Sequence, residues 1–277
     1  MFYDANYLVP FSYSVSTKNI PQQISTLEDE LAEAKDQLAK EKTKKVDVIT
    51  APNGKSYRLV VGDNGSLSAV STLPNNVVIF GNSLTLADGY IGMAASDPNH
   101  DYYHYVTEYI KSKNPNAKIN DRTGMGTWES ATTTADREQV FNETTKPLLS
   151  ADTDLVIIQL GDNVNTPEKK ATLEHDAGEF IQEIHSVSPK AKIYWIYGWF
   201  GDYDTVFTPI KNACEANGAT GIDVNDLNTA ENQNQLGATR HGINGETWQI
   251  TRPGEAIHPG DKGMKAIADR VISNFDF

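Results

Sequence analysis

Strands and helices alternate along the chain from residue 77 onward, and this alternation limits the fold more than any other feature of the sequence. Residues 77–80, 155–160 and 192–197 are mostly apolar and rich in β-branched or aromatic side chains, which is typical of buried strands. Amphipathic helical patterns lie between them. Strands that are apolar on both faces and joined by helices are typical of a parallel sheet covered on both sides. The sequence therefore predicts an α/β domain over residues 76–277.

The N-terminal third has a heptad pattern. Its apolar residues are spaced alternately by four and three positions and are flanked by charged side chains: Ile20, Ile24, Leu27, Leu31, Ala34 and Leu38. A stripe this narrow buries little surface on a lone helix, so residues 20–44 are predicted to form a coiled coil with other chains. The early isoleucines favour more than two helices, and we expect a homotrimer. The alternative is a single amphipathic helix lying on the domain. Residues 1–19 have no clear period and are predicted to be an extended attachment segment.

Short β-branched runs alternate with turn signals in residues 45–75. Pro-Asn-Gly at 52–54 and Asp-Asn-Gly at 63–65 are typical of turns, and they separate three predicted strands. The pattern predicts a small antiparallel β-module. A lone three-stranded meander is barely stable, so we expect it to pack against its symmetry mates. Pro-Asn-Asn at 74–76 marks the boundary with the α/β domain.

Charge and composition exclude several classes of partner. The net charge of -13 argues against a nucleic-acid backbone or an anionic membrane surface, since both favour basic proteins. Cys214 is the single cysteine, so an intrachain disulfide is excluded. No stretch is long enough to span a bilayer, and the N-terminus lacks the basic start and apolar run of a signal peptide. We therefore expect neither a transmembrane segment nor a signal peptide.

A serine and a histidine stand at positions suited to nucleophilic catalysis. Ser83 follows the first predicted strand in Gly81-Asn82-Ser83, and ligands bind beyond the carboxyl ends of strands in open α/β sheets. The alternative is that Ser83 only caps a helix. His258 lies in a tight loop, three residues after Glu255. A carboxylate there is predicted to hold the histidine Nδ1 proton and leave Nε2 free to accept from serine, unless both residues merely begin the last helix.

The other histidines fit less specific roles. His241 lies in a long segment without periodicity and is a candidate to line a cleft. Four others fall among polar residues in or beside helical segments, where solvation is expected: His100, His104, His175 and His185. His100 and His104 have the spacing of a metal-binding pair, but no third ligand has telling spacing. We expect no metal and no other cofactor.

Donors for an oxyanion follow two further strands. Gly126 lies in a glycine-containing loop whose backbone N–H groups can point inward. Asn163 follows the strand at 155–160 and offers a side-chain NH₂ group. In a parallel sheet these loops meet at the same edge as the loop of Ser83. The sequence thus predicts a serine-hydrolase site at that edge.

The ordered motifs resemble those of the SGNH (GDSL-type) hydrolases. Gly-Asn-Ser83, Gly126, Gly-Asp-Asn163 and Glu255-Ala-Ile-His258-Pro match that family's four blocks in order and in placement after strands, over residues 76–277. The resemblance implies a flavodoxin-like three-layer α/β sandwich that hydrolyses carboxylic esters. It implies Ser83 as the nucleophile and His258 as the general base. The Ser83 and Gly126 N–H groups and the Asn163 side chain would form the oxyanion hole.

Three positions depart from the family's motifs. Asn82 replaces the aspartate of G-D-S, and Val164 replaces the aspartate of G-x-N-D, which affects local loop hydrogen bonding more than the chemistry. Glu255 replaces the triad aspartate; it orients the histidine if the loop shifts, and otherwise a backbone carbonyl assists the Ser–His pair. The α/β-hydrolase fold is disfavoured because Thr85 stands where G-x-S-x-G needs its second glycine.

The N-terminal third resembles the stalk and collar of phage tail receptor-binding proteins. This resemblance implies a virion location, other phage tail proteins and a bacterial surface polysaccharide as partners, and an acyl ester on that glycan, with acetyl as the acyl group, as the substrate. Five residues are predicted at the substrate, with core packing as the alternative for the tryptophans: Asn82, Trp128, Trp199, His241 and Trp248. A non-catalytic glycan-binding head is the alternative function. A lipase is disfavoured because no long apolar lid segment is evident.

Overall fold

The computed structural model describes residues 49–50, 56–61 and 65–277. The predicted attachment segment at 1–19 and the predicted coiled coil at 20–44 lie outside the described residues. The chain divides into two compact units between Thr72 and Leu73. In the first unit, three strands form an antiparallel sheet in the order β1-β2-β3: β1 (Ile49–Thr50), β2 (Ser56–Val61) and β3 (Leu67–Ser71).

The second unit contains a six-stranded sheet in which every strand pair is parallel. Its strands are β4 (Asn76–Gly81), β5 (Lys118–Ile119), β6 (Thr123–Gly124), β7 (Leu155–Gln159), β8 (Lys192–Tyr197) and β9 (Thr220–Asp223). The spatial order is β5-β4-β7-β8-β9, and β6 also pairs with β4. With β5 and β6 counted as one edge strand, this is the 2-1-3-4-5 order of a flavodoxin-like sheet. The predicted α/β class and parallel sheet are confirmed.

Helices cover both faces of this sheet. The α-helices are α1 (Tyr102–Lys113), α2 (Gly126–Ser130), α3 (Thr134–Val140), α4 (Pro167–Lys170), α5 (Leu173–Val187), α6 (Thr208–Asn217), α7 (Pro253–Ala256) and α8 (Asp261–Ser273). Short 3₁₀ turns span Asp88–Tyr90, Lys146–Leu148 and Asn225–Leu227, and π-helical turns span Phe141–Thr145 and Tyr203–Phe207. None of the helices in the described part of the chain is long and apolar enough to cross a membrane.

Two apolar cores follow from the alternation of side chains along the strands. Val78 and Phe80 of β4 pack on one face with α2, α5 and α6. Val77 and Ile79 point to the other face, where they pack with α1 and α8. Each buried aliphatic side chain contributes about 1.5–3 kcal/mol relative to an exposed one. The doubly buried strands thus hold the three layers together and fix the edge at which the loops meet.

The segment at 225–257 contains more regular structure than its sequence indicates. Strands β10 (Thr239–His241) and β11 (Thr247–Gln249) form an antiparallel hairpin, and α7 follows it. Strands of three residues are too short to show a period of two, and a four-residue helix is too short to show a helical one. The absence of periodicity was therefore a consequence of element length.

Candidate active site

The loop after β4 presents Ser83 at the carboxyl end of the sheet. The Asn82 N–H donates to the Gln159 carbonyl at 3.0 Å, and the Asn82 carbonyl accepts from the Thr85 N–H at 3.0 Å. These bonds close a tight turn that leaves Ser83 half-buried. A Cβ on Gly81 would lie 2.2 Å from Thr85 Oγ1 and 2.6 Å from the Gln159 carbonyl oxygen, so the turn needs glycine. Ser83 does not cap a helix: the next helical turn begins at Asp88.

Ser83 lies at the topological switch point of the sheet. In the 2-1-3-4-5 order this point falls between β4 and β7, where the connections leave in opposite directions and open a crevice. The loop after β4 carries Ser83, and the loop after β7 carries Asn163. The fold therefore explains why the two loops meet at one cleft.

The imidazole of His258 is held in the state that a general base requires. Its Nε2 lies 3.1 Å from Ser83 Oγ. Its Nδ1 lies 2.8 Å from the Gly254 carbonyl oxygen, which can only accept, so Nδ1 carries the proton and Nε2 accepts from the serine. Burial against the Phe200 ring lowers the pKa of His258, which keeps the ring neutral at pH 7. The structure brings the predicted serine and base together.

Glu255 does not hold His258, contrary to the sequence prediction. Its carboxylate Oε1 accepts from Arg240 Nη1 at 2.6 Å, and both side chains are buried. The turn of α7 carries the Gly254 carbonyl to the imidazole and directs the glutamate inward to the guanidinium. The backbone carbonyl considered from the sequence as the alternative thus occupies the position next to Nδ1.

Arg240 ties the histidine loop to the serine loop. Besides Glu255, its guanidinium donates to the carbonyls of Ala95 and Gly92 at 3.2 and 3.3 Å. The neighbouring Met93 N–H donates to the Ser83 carbonyl at 2.7 Å. One buried cation therefore connects the two loops whose spacing sets the contact between serine and histidine.

The predicted oxyanion donors surround Ser83. Gly126 begins α2, and the Met125 N–H donates to the Gly81 carbonyl at 2.6 Å, which places Gly126 beside the serine turn. Ser83, Gly126 and Asn163 line one cleft of about 580 Å³. Within residues 65–277, the N–H groups of Ser83 and Gly126 donate no hydrogen bond to another part of the protein. Those N–H groups are available to a ligand.

Two buried carboxylates lie under the cleft. Glu129 accepts from the Gly161 N–H at 2.6 Å, the Asn163 N–H at 3.2 Å and Asn163 Nδ2 at 2.7 Å. Asn82 Nδ2 donates to Glu129 at 3.0 Å and to Asp162 at 3.1 Å. Burial, and next the charge of Glu129, raise the pKa of Asp162 to about 6. The Asn82 amide hydrogens are thus used by the two carboxylates, but Asn82 also lines the Ser83 cleft, so its role at the substrate stays a prediction.

Two predicted substrate residues belong to the core. Trp128 is fully buried and packs against Phe180 and Trp195. Trp199 is also buried, and its Nε1 donates to the Ile257 carbonyl at 3.1 Å. Neither ring is open to a ligand, so core packing is correct for both. Trp128 follows the glycine-containing loop and Trp199 follows β8, so the sequence alone indicated that both tryptophans lie in loops.

The other two predicted substrate residues lie on the β10–β11 hairpin. His241 is exposed, and its Nδ1 lies 3.1 Å from Thr247 Oγ1. Trp248 is half-buried, with the Arg240 guanidinium 4.8 Å from its ring centroid. The described lining of the Ser83 cleft includes neither side chain.

The histidines considered as metal ligands have other contacts. His100 Nδ1 lies 2.9 Å from an Asp97 carboxylate oxygen. Among the described residues, the acidic and histidine side chains close enough to share an ion are His175, Asp176 and Glu179. Asp176 is already bonded to Arg137 and to two threonine hydroxyls, which explains its lowered pKa despite burial.

Three side chains of the site were missed in the sequence, namely Arg240, Glu129 and Asp162, and the backbone carbonyl expected as the alternative to Glu255 was not identified there as that of Gly254. Asp162 lay within the recognised Gly161-Asp-Asn163 motif, whereas Glu129 lies three residues after Gly126, just beyond the motif recognised there. Nothing in the sequence around Asp162 or Glu129 shows whether the carboxylate is buried and accepts hydrogen bonds or is exposed to solvent. Arg240 and the Gly254 carbonyl had no sequence signal, since their roles depend on contacts across the fold.

The chain matches one known protein family. Residues 79–266 match the model of the GDSL-like Lipase/Acylhydrolase family. No curated protein matches the chain. Among solved structures, it is similar to phospholipase A1 from Streptomyces albidoflavus NA297, with 15% identity over 73% of this chain and 100% of that one, and a TM-score of 0.47.

Two further solved structures are carbohydrate esterases. A family 2 enzyme with a carbohydrate binding domain from Corynascus thermopiles has 15% identity over 76% of this chain and 68% of that one, with a TM-score of 0.45. A family two carbohydrate esterase from Clostridium thermocellum, in complex with cellohexaose, has 16% identity over 76% of this chain and 66% of that one, with a TM-score of 0.43. The family model itself spans more than half of the sequence. The chain therefore belongs to the GDSL-like lipase/acylhydrolase family.

Proposed function

We propose that the second unit is a serine esterase whose nucleophile is Ser83 and whose general base is His258. The observation that carries this proposal is the 3.1 Å contact between Ser83 Oγ and His258 Nε2, with Nδ1 held by the Gly254 carbonyl. A hydroxyl bonded to an oriented, neutral imidazole is the arrangement that nucleophilic catalysis requires. The cleft in front of it supplies the oxyanion donors.

In the proposed mechanism, Ser83 Oγ attacks the ester carbonyl carbon while His258 Nε2 takes the hydroxyl proton. The N–H groups of Ser83 and Gly126 and the Nδ2 of Asn163 donate to the oxyanion of the tetrahedral intermediate. The protonated His258 then gives its proton to the leaving alcohol, which leaves an acyl group on Ser83. Water, deprotonated by His258 Nε2, attacks the acyl carbonyl carbon of this acyl-enzyme. The bond from that carbon to Ser83 Oγ then breaks, the acid leaves, and His258 returns the proton to Ser83 Oγ.

When His258 is protonated during the reaction, its Nδ1–H is bonded to a neutral backbone carbonyl and not to a charged carboxylate. The Gly254 carbonyl accepts from Nδ1 but carries only a partial negative charge. This arrangement orients the ring as a carboxylate would, but it stabilises the protonated ring less. We therefore expect a functional esterase whose rate is below that of a serine hydrolase with a complete triad.

The proposed substrate is an acyl ester, with acetyl the acyl group, on a bacterial surface glycan. The cleft wall around Ser83 carries three apolar side chains, Leu86, Ala87 and Met93, and a larger number of polar ones, namely Asp88, Thr127, Ser130, Asn163, Asn165 and Lys169. Such a lining suits hydrated sugar hydroxyls better than a long acyl chain. The heptad pattern at 20–44 supports a homotrimeric stalk, and its resemblance to phage tail stalks supports a virion location and contacts with other tail proteins.

Hydrolysis of p-nitrophenyl acetate tests the proposed chemistry. Ser83→Ala and His258→Ala are each expected to lower kcat by at least about 10³-fold, since the triad members act as a unit. Ser186→Ala and His185→Ala change the same residue types on α5, away from the cleft, and should keep wild-type rates. A wild-type rate no faster than that of Ser83→Ala would refute the esterase.

A non-catalytic glycan-binding head is the second candidate, and the absence of a carboxylate next to His258 Nδ1 in the described structure favours it. It predicts that the full chain retains polysaccharide and releases no acetate from it. Release of acetate by the wild type but not by Ser83→Ala supports the esterase instead.

Sedimentation of the full chain at micromolar concentration tests the proposed stalk. Three chains per particle are expected, and a monomer would contradict the homotrimer.

A further inference from the structure

The Glu129 carboxylate has surroundings unusual for a buried acid. Its side chain is fully buried on α2, and no ion pair with a cation is found for it in the described structure. Four N–H hydrogen bonds surround it instead, from Gly161, from Asn82 and twice from Asn163. Burying an ionised carboxylate without such bonds costs several kcal/mol, so these four donors compensate for the missing cation.

The Glu129 carboxylate fixes the orientation of the Asn163 side-chain amide. A carboxylate only accepts hydrogen bonds, so Oε2 at 2.7 Å selects Asn163 Nδ2 rather than Oδ1. Oε1 holds the backbone N–H of the same residue at 3.2 Å. The second hydrogen on Nδ2 remains, and Asn163 lines the cleft beside Ser83. The Glu129 carboxylate therefore keeps Asn163 Nδ2, rather than Oδ1, in the position from which it can donate into the cleft.

The residue before the serine is matched to this carboxylate. Asn82 Nδ2 donates one hydrogen to Glu129 and one to Asp162, while its Oδ1 accepts from the Leu84 N–H at 3.1 Å. An aspartate at position 82 would bring a third carboxylate within about 3 Å of the other two. In this chain the carboxylates beside the residue that precedes the serine therefore lie at Glu129 on α2 and at Asp162 in the loop after β7.

We propose that Glu129 is a positioning residue of the oxyanion hole and acts on ester hydrolysis through Asn163. This inference rests on the proposed esterase. Glu129 does not line the cleft, so its effect on the reaction passes through the direction and polarisation of the Asn163 amide. Hydrogen bonds to an ionised acceptor are about twice as strong as neutral ones, which makes a carboxylate better than a neutral amide here.

A double-mutant cycle of Glu129→Gln and Asn163→Ala tests the proposal. Asn163→Ala is expected to lower kcat by about 10²–10³-fold, the usual effect of losing one oxyanion donor. Glu129→Gln keeps the shape but turns one acceptor into a donor that faces Asn163 Nδ2, so kcat should fall by about 10–100-fold, with KM within about twofold. The double variant should be no more than about threefold slower than Asn163→Ala, because the amide through which Glu129 acts is already gone.

Controls separate positioning from folding. Glu143→Gln changes an exposed glutamate and should leave the rate unchanged. If Glu129→Gln does not fold by circular dichroism, the cycle is run with Glu129→Asp, which keeps the charge but withdraws the carboxylate by one methylene. Equal losses from the Glu129 change in both backgrounds, or failure of both variants to fold, would overturn the proposal. If instead the wild type is no faster than Ser83→Ala in the same series, the esterase itself has failed.

Discussion

The variant Glu255→Gln tests whether the Glu255 carboxylate stabilises the fold or takes part in catalysis. Glu255 and Arg240 form a buried pair with side-chain exposures of 5% and 1%, and their atoms lie 2.6 Å apart. The substitution leaves the guanidinium charged, buried and without its partner, which costs about 3–5 kcal/mol. For a domain of this size, a loss of that magnitude lowers the unfolding midpoint by about 6–20 °C.

The expected effect on catalysis is small. The His258 Nδ1 proton is held by the Gly254 carbonyl, and that contact does not involve the Glu255 side chain. At a temperature well below its midpoint, Glu255→Gln should therefore keep kcat within about threefold of the wild type. Loss of a triad acid that holds the base lowers kcat by about 10⁴-fold, so the two roles differ by more than three orders of magnitude.

The measurements are thermal unfolding by circular dichroism and p-nitrophenyl acetate hydrolysis at 15 °C. A double variant, Arg240→Met with Glu255→Leu, removes both charges and should recover part of the lost stability, because a buried ion pair is often replaced by apolar side chains without penalty. Recovery stays incomplete because the Ala95 and Gly92 carbonyls lose their donor. Glu246→Gln, on the exposed hairpin turn, is the matched control. A 10³-fold loss of kcat in Glu255→Gln with an unchanged midpoint would refute the reasoning.

Two further predictions concern protons and charges under the cleft. Because burial lowers the pKa of His258 and its neutral form is the base, kcat/KM should rise with pH to a plateau, with the midpoint of its acidic limb below 6.5; a midpoint above 6.5 would contradict the described burial. Asn82→Asp, which introduces the residue of G-D-S, should lose about 3–5 kcal/mol in urea unfolding at pH 7, because a third carboxylate meets Glu129 and Asp162, and less at pH 5, where protonation relieves the repulsion. Equal stability of this variant and the wild type at pH 7 would show that the three groups are not close in solution.

The features that were predictable from sequence are those set by local pattern and sheet topology. Apolar runs identified the strands, and parallel strands bring their carboxyl ends to one edge, so the loops of Ser83 and Asn163 were expected to meet there. His258 was identifiable because a short loop before the last helix returns to that edge. These predictions depend on the order of strands and helices along the chain, and they do not depend on where any side chain points.

Side-chain direction and contacts across the fold were not predictable. Glu255 was close enough in sequence to reach His258, but Arg240 competes for the carboxylate and the Gly254 carbonyl occupies Nδ1. The partners of Glu129 come from loops after two different strands, and no spacing in the sequence links them. Trp128 stands in a loop-like sequence but turns into the core, because a large ring gains more from burial than from a solvated rim.

The main-chain hydrogen bond to His258 has a consequence for how the sequence can drift. Every amino acid at position 254 carries the same carbonyl, and a Cβ there would meet nothing within 4 Å, so substitutions at that position leave the acceptor in place. An acidic side chain, by contrast, is deleted by a single codon change. The orientation of the base is therefore inherited through the path and length of the loop from α7 to α8, which tolerates point substitutions and is vulnerable to insertions and deletions.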